Sequence, residues 1–364
     1  MDDSLTSFID EICGDSHLRV EDDLGDGYVR LRSSEAQRRQ AKHDIRCTED
    51  IIIELLRNAR DAGARNIFLA LSREGEQRFI SIIDDGAGIP EAMQGKIFEP
   101  RVTSKLDSMH VDTWGVHGRG MALYSISVNA IHACVVASGK DKGAAFLIET
   151  NLKSLPEKTD QSSLPIFTFN DEGALVVRGP HNINRIVAEF AFEHRELCEV
   201  YLGSPTEIAA TIFEYGNATL TKSMRTFCDN PEELSLIKRL GTAASPSHFV
   251  TLATQMGLDI SERSARRIMD GEIAVLSPFI ESVTIDEADS GEKRKKRDKD
   301  MHKLLARDAR GLKVHPDDLD EFAENIQRAY KDLAKRYYLD ENMKPELALS
   351  KEAISIKIPL NKLS

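Results

Sequence analysis

The chain has 364 residues, 41 % of them hydrophobic and 30 % charged, with a formal net charge of −12. That length supports two or three domains and the composition is that of a soluble globular chain. No apolar run approaches the roughly 20 residues that span a bilayer, and a chain this acidic is excluded as a general polyanion binder, so a nucleic-acid contact requires a local basic patch.

Five cysteines (Cys13, Cys47, Cys134, Cys198, Cys228) are scattered and odd in number, with no Cys-x-x-Cys pair. Reduced thiols fit this pattern better than a disulfide framework or a zinc site. Residues 1–10 are acidic and lack the basic and apolar regions of a signal peptide. The expected location is cytoplasmic.

In chain order, residues 1–47 are a polar arm with an acidic-glycine stretch, Glu21 to Gly27, and a helical segment from Ser34 to Ile45. From Thr48 the pattern turns helical: Thr48 suits an N-cap, Glu49 and Asp50 suit the positive end of the helix, and Gly63 suits its stop. At about 100° per residue, Glu54, Asn58 and Asp61 share one sector, with Ile52, Leu55, Leu56 and Ala59 opposite. Two carboxylates and an amide in a row can activate a water and hold a hard cation through oxygen. The same pattern is also that of an ordinary amphipathic helix with a polar outer face.

An apolar strand from Phe79 runs into Asp84, Asp85, Gly86, Ala87 and Gly88. A carboxylate at a strand end can accept a hydrogen bond from the exocyclic amine of adenine, and close-set glycines let backbone approach a flat ligand; alone, the stretch also reads as an Asp-Gly turn. Thr103, Ser104 and Lys105 follow as candidate lid contacts to phosphate. Gly115, Gly118 and Gly120 then precede a helical run, a placement in which free N–H groups and the helix dipole favour phosphate. This is no Walker A loop, since no Gly-Lys-Ser/Thr follows.

Beyond the pocket segments, residues 156–164 read as a loop or boundary, 175–177 as a strand and 183–198 as a helix. Residues 205–285 are dominated by helical patterns. Within them, 247–269 has a helix-turn-helix look with Arg263, Arg266 and Arg267 facing out, although a plain helical bundle is the preferred reading. Lys293 to Arg297 form a charge run that reads as a solvated linker. A long amphipathic helix is expected over 316–338 and a strand-like stretch over 354–358.

The order and spacing of Glu54/Asn58/Asp61, Asp84/Gly86/Gly88 and Gly115/Gly118/Gly120 resemble the GHKL (Bergerat-fold) superfamily. That superfamily holds type II topoisomerase ATPase subunits, heat-shock chaperones, sensor histidine kinases and MutL. Asn58 to Ala64, Thr103 to Leu106 and Asp112 to Gly118 look most like MutL; Ile97 to Pro100 with Thr103 to Lys105 also resembles histidine kinases. A kinase needs a phosphoacceptor histidine on a helix well upstream, and His43 stands too close to Asn58 for an intervening hairpin. Where the family usually has Gly-Thr on the strand closing the pocket, this chain has Gly143-Ala144, without the hydroxyl. The resemblance covers under a third of the chain.

The implied fold is α+β: a two-layer α/β sandwich over 48–155, with a mixed, largely antiparallel sheet and helices on one face. A connecting segment (156–204), a mainly helical region (205–285) and a charged linker, long helix and tail (286–364) follow. The resemblance implies ATP and Mg2+ as cofactors, with Glu54 as general base, Asn58 as Mg2+ ligand and Asp61 supporting the lid or the metal shell. It implies that Asp84 reads the adenine amine, that Gly86 and Gly88 let the base pack closely, and that Thr103, Lys105 and the backbone of Gly115, Gly118 and Gly120 hold phosphates. An ATPase that closes a lid and forms a homodimer is the expectation, with residues 1–47 as an arm toward the partner subunit and residues 205–300 as the candidate surface for DNA or a protein. An ATP-gated binding module without turnover and a histidine or serine kinase are the alternatives.

Overall fold

The computed structural model describes residues 20–104, 110–112, 115–117, 120–169, 175–226, 228, 230–286, 316–337, 339–340, 343, 345–349 and 354–358. The chain divides into two compact units, 1–288 and 289–364.

The first unit opens with a hairpin, β1 (Val20–Gly25) and β2 (Tyr28–Leu31). Its turn is Asp26-Gly27, both at positive φ, the backbone that a two-residue hairpin turn requires and that Asp-Gly supplies at low cost. Helix α1 (Glu35–Asp44) follows, started by a capping box between Ser34 and Gln37. Helix α2 (Thr48–Asp61) carries the predicted polar row. Thr48 is its first residue rather than its cap: the Asp50 carboxylate takes the N–H groups of Arg46 at 2.7 Å and Cys47 at 3.3 Å. Burial pushes the Cys47 thiol up to about 11, so it stays protonated.

The central sheet has five strands in the order β12 (Glu199–Gly203), β3 (Asn66–Glu74), β4 (Gln77–Asp84), β9 (Ala144–Asn151), β8 (His132–Ser138). The pair β12·β3 is parallel and the rest are antiparallel, giving the expected mixed, largely antiparallel sheet. Side chains alternate between its faces. One face turns Ala144 and Phe146 toward α2 and α3 (Ala122–Asn129), across the cavity they line together. The other face carries Phe68, Ala70, Ile83, Ala145 and Tyr201, which share a core with Ile208, Ile212, Leu236, Leu240, Phe249 and Leu252. Each fully buried large side chain there contributes about 1.5–3 kcal/mol of transfer free energy.

The sandwich is therefore extended into a third layer by the helical region after 205. That layer contains α5 (Pro205–Thr219), started by a Ser204–Glu207 capping box with Pro205 in the first turn, and the pair α8 (Pro246–Thr254) and α9 (Glu262–Met269). In this pair Ala253, Met256, Leu258, Ala265 and Ile268 are buried, and Arg263, Arg266 and Arg267 face out. The helix expected over 183–198 is α4 (Ile183–Glu193); it ends early because the chain must turn at 194–198 to run as β12 beside β3.

Residues 156–164 form a loop, as expected, but one stitched into the unit. Thr48 N–H donates to Pro156 O at 3.1 Å. The buried Glu49 carboxylate accepts from Lys158 N at 2.9 Å and Gln161 Nε2 at 2.6 Å. Arg78 and Glu157 form a two-pronged ion pair, Nη2 to Oε2 at 2.7 Å, with side chains only 12 % and 6 % exposed. Removing one partner of such a pair strands a buried charge. Glu157→Ala is thus expected to lower unfolding free energy by about 3 kcal/mol in denaturant titration; a loss below about 1 kcal/mol would show that the pair is not a staple.

In the second unit, α10 (Pro316–Tyr337) and the hairpin β14 (Glu346–Leu349), β15 (Ile354–Lys357) realise the expected helix and strand. Tyr330, Ala334 and Leu339 form its small core with Met343 and Ile358. The charge run Lys293 to Arg297 lies outside the described residues. No helix among the described residues is long and apolar enough to cross a membrane.

Candidate functional site

A cavity of about 280 Å3 lies between α2, the end of β4, the start of β9 and the start of α3. Helix α2 delivers Glu54, Asn58 and Asp61 to it, so the polar row faces this cavity rather than open solvent. The rest of α2 is buried: Ile51, Ile52, Ile53, Leu55, Leu56 and Ala59 are at most 6 % exposed.

Asp84 enters from the last residue of β4, buried to 3 %. Its Oδ1 accepts the Gly86 N–H at 2.8 Å. The neighbouring Asp85 is used up in holding the chain, accepting from Arg65 N, Asn66 N and Asn66 Nδ2. Gly88 lines the cavity, whereas Gly86 lies behind it, against Ala62. At Gly88 (φ +71°) a Cβ would stand 1.9 Å from Gly139 O, and at Gly143 (φ +86°) 2.0 Å from Asp84 O. These contacts press the 84–88 loop onto the 139–143 turn and hold Asp84 in place. Gly88→Ala is expected to cost at least ~2 kcal/mol of stability, from the left-handed backbone and the clash together. Thermal unfolding of the variant measures this, and an unchanged midpoint would contradict it.

Thr103, Ser104 and Gly120 line the opposite part of the cavity with Ala122 and Leu123 from the first turn of α3, where helix N–H groups are unpaired within the helix. Gly120 O accepts the Arg101 N–H at 2.8 Å, which ties Arg101 to the residue leading into α3. Gly115 opens the short strand Gly115–His117, opposite Asp112. Lys105 and Gly118 lie outside the described residues. Ala144, where a threonine was expected by resemblance, faces the cavity beside Phe146 with no hydroxyl.

Two polar lining residues, Arg57 and Tyr28, escaped the sequence reading. Arg57, buried to 4 %, donates through Nη1 to Glu54 Oε1 at 2.5 Å. An (i, i+3) Glu–Arg pair was the available signal. Tyr28 reaches in from the hairpin; burial pushes its phenol up, and a hydrogen bond with Ser104 works against that. Its signal was the Asp26-Gly27 turn. Asp61 is also engaged, with Oδ1 accepting from Arg60 Nη2 at 2.7 Å and Nε at 2.9 Å. Arg60 Nη1 in turn donates to His194 Nε2 at 2.9 Å.

Asn58 is different. Its Nδ2 is buried and has no hydrogen-bond partner among the described residues. Rotated half a turn about its Cβ–Cγ bond, the amide presents its oxygen at the same place. A buried amide left unpaired beside a cavity fits a ligand or hydrated cation.

A sheet backed by helices, with a carboxylate-amide row and a strand-end aspartate around one cavity, defines a nucleotide-binding α+β class. Residues 43–154 match the family described as histidine kinase-, DNA gyrase B-, and HSP90-like ATPase. Within that region the chain is similar to the DNA mismatch repair protein MutL of Staphylococcus aureus strains Newman and JH1, at 38 % identity over 101 residues in each case. Those residues are 27 % of this chain and 15 % of each relative, so the match spans a small part of the relatives' length. The region is thus similar to GHKL-type ATPase modules, with MutL-like character.

Proposed function

We propose that the chain hydrolyses ATP in this cavity and uses the nucleotide to close a lid and pair with a second copy of itself. The observation that carries the reading is the convergence of Glu54, Asn58 and Asp61 with Asp84 on one cavity, the Asn58 amide unpaired. Asp84 accepts from the adenine amine at one end. At the other, Thr103, the α3 N-terminus and the backbone of the Gly115–Gly120 loop hold the phosphates, with Lys105. Glu54 takes a proton from the attacking water. Asn58 would hold Mg2+, which offsets charge on the phosphates when bound. Asp61, held by Arg60, supports the lid or the metal shell.

The relatives' names concern DNA mismatch repair, and the outward Arg263 and Arg266, beside an Arg267 that pairs with Glu272 at 3.0 Å, offer positive charge on an otherwise acidic chain. A role in DNA transactions in the cytoplasm is part of this reading. Phosphate release from Mg·ATP, measured with and without DNA, tests it together with sedimentation on adding a non-hydrolysable analogue. No turnover and no binding would overturn it.

One observation favours a second reading, an ATP-gated binding module without turnover: Arg57 already occupies one oxygen of Glu54. Binding without phosphate release selects that reading.

A further inference from the structure

The N-terminal hairpin is built into the wall of the cavity in the same chain. Strand β2 pairs with β5 (Val102–Thr103), Val29 opposite Thr103 and Arg30 opposite Val102. Leu31 N–H donates to Arg101 O at 3.0 Å. Val29 and Leu31 are buried, and Arg30 bridges Asp22 of β1 to Glu99, just before the lid. The Tyr28 ring, first in β2, thereby lines the cavity next to Ser104.

This end of the cavity differs from the Asp84 end. Strand β5 is tied through Arg101 N–H to Gly120, which leads into α3. The free N–H groups of a helix start favour anions. Tyr28 and Ser104 add two hydroxyls there, and hydroxyl donors suit phosphate oxygens.

We propose that Tyr28 is a nucleotide-contacting residue whose hydroxyl bonds the phosphate part of the bound nucleotide, so that the hairpin 20–31 is a wall of the pocket supplied in cis. The inference rests on the nucleotide-binding reading above. It also reassigns part of the N-terminal arm, from reaching toward a partner subunit to completing its own site. A phenol is a neutral donor at working pH, and burial only pushes its pKa further up.

The test uses the full chain and isothermal titration with three probes: a Mg-bound non-hydrolysable ATP analogue, Mg·ADP and adenosine. Tyr28→Phe keeps the ring and removes only the hydroxyl, so folding is preserved; matching unfolding midpoints without ligand verify this. The expected result is a roughly 3- to 10-fold loss of affinity for the analogue and ADP, the usual worth of one neutral hydrogen bond, with adenosine unchanged. Tyr28→Ala should lose at least as much for the phosphorylated probes. Unchanged affinities in both variants, or an equal loss for adenosine, would overturn the inference while leaving the pocket's nucleotide reading intact. Failure of the wild-type chain to bind any probe would instead sink that underlying reading and the inference with it.

Discussion

Glu54→Gln is expected to bind Mg·ATP about as well as the wild-type chain and to release phosphate roughly 100- to 10,000-fold more slowly, the contribution of a positioned general base. Glutamine is the informative replacement. Glu54 Oε1 accepts from Arg57 Nη1 at 2.5 Å, and Arg57 is buried to 4 %. Alanine would leave that guanidinium without this acceptor, a loss that costs stability and blurs the reading. Glutamine keeps an oxygen for Arg57 and the shape of the side chain, and removes the group that takes the proton. Alanine should abolish turnover too, with a lower unfolding midpoint. Single-turnover phosphate release alongside titration calorimetry separates chemistry from binding. Turnover surviving in the glutamine variant would remove Glu54 from the mechanism.

Asp84→Asn carries the second large effect, on affinity rather than rate. The Asp84 carboxylate is buried, lines the cavity and accepts the Gly86 N–H at 2.8 Å through Oδ1. An asparagine that keeps the Gly86 bond through its oxygen turns its NH2 toward the ligand. Donor then meets donor at the adenine amine. A hydrogen bond to a charged group is worth about 1.5–3 kcal/mol, so ATP affinity should fall at least ~10-fold and as much as ~100-fold. Guanine carries an acceptor at the corresponding position, so the ratio of GTP to ATP affinity should rise in the variant. Unchanged ATP affinity, or a loss equal for both nucleotides, would show that Asp84 does not read the base. The pair of variants divides the cavity into a base-reading end and a reacting end.

How much of this was legible in the chain depends on the range of the contact. The polar row of α2 needs only helical geometry, since Glu54, Asn58 and Asp61 are brought together by 3.6 residues per turn. Asp84 at the end of an apolar strand needs only the switch from strand to turn. Both appear where the pattern placed them. Whether the α2 row faced solvent or a cavity was open, because periodicity gives a face without saying what covers it. The lining of the cavity by all three residues decides that question.

Arg57 shows the limit from another side. As an isolated residue on an amphipathic helix it reads as a surface charge, and only its burial against Glu54 gives it meaning. The loop at 156–164 is a similar case, polar in composition and yet fastened by Glu49 and Arg78 from segments more than 75 positions away.

By itself, the sequence determined the local grammar of this protein: the α2 helix with its polar row, the strand ending at Asp84, the glycines at 86 and 88 and the order of the three motifs. These follow from steric and hydrogen-bonding rules that act within a few residues. Only the tertiary structure decided that β12 would pair with β3, that the helices after 205 would cover the second sheet face, and that Tyr28 would reach the cavity by pairing of β2 with β5. Those outcomes depend on burying apolar faces and edge hydrogen bonds supplied by residues far away in the chain, and such partners leave no local pattern to read.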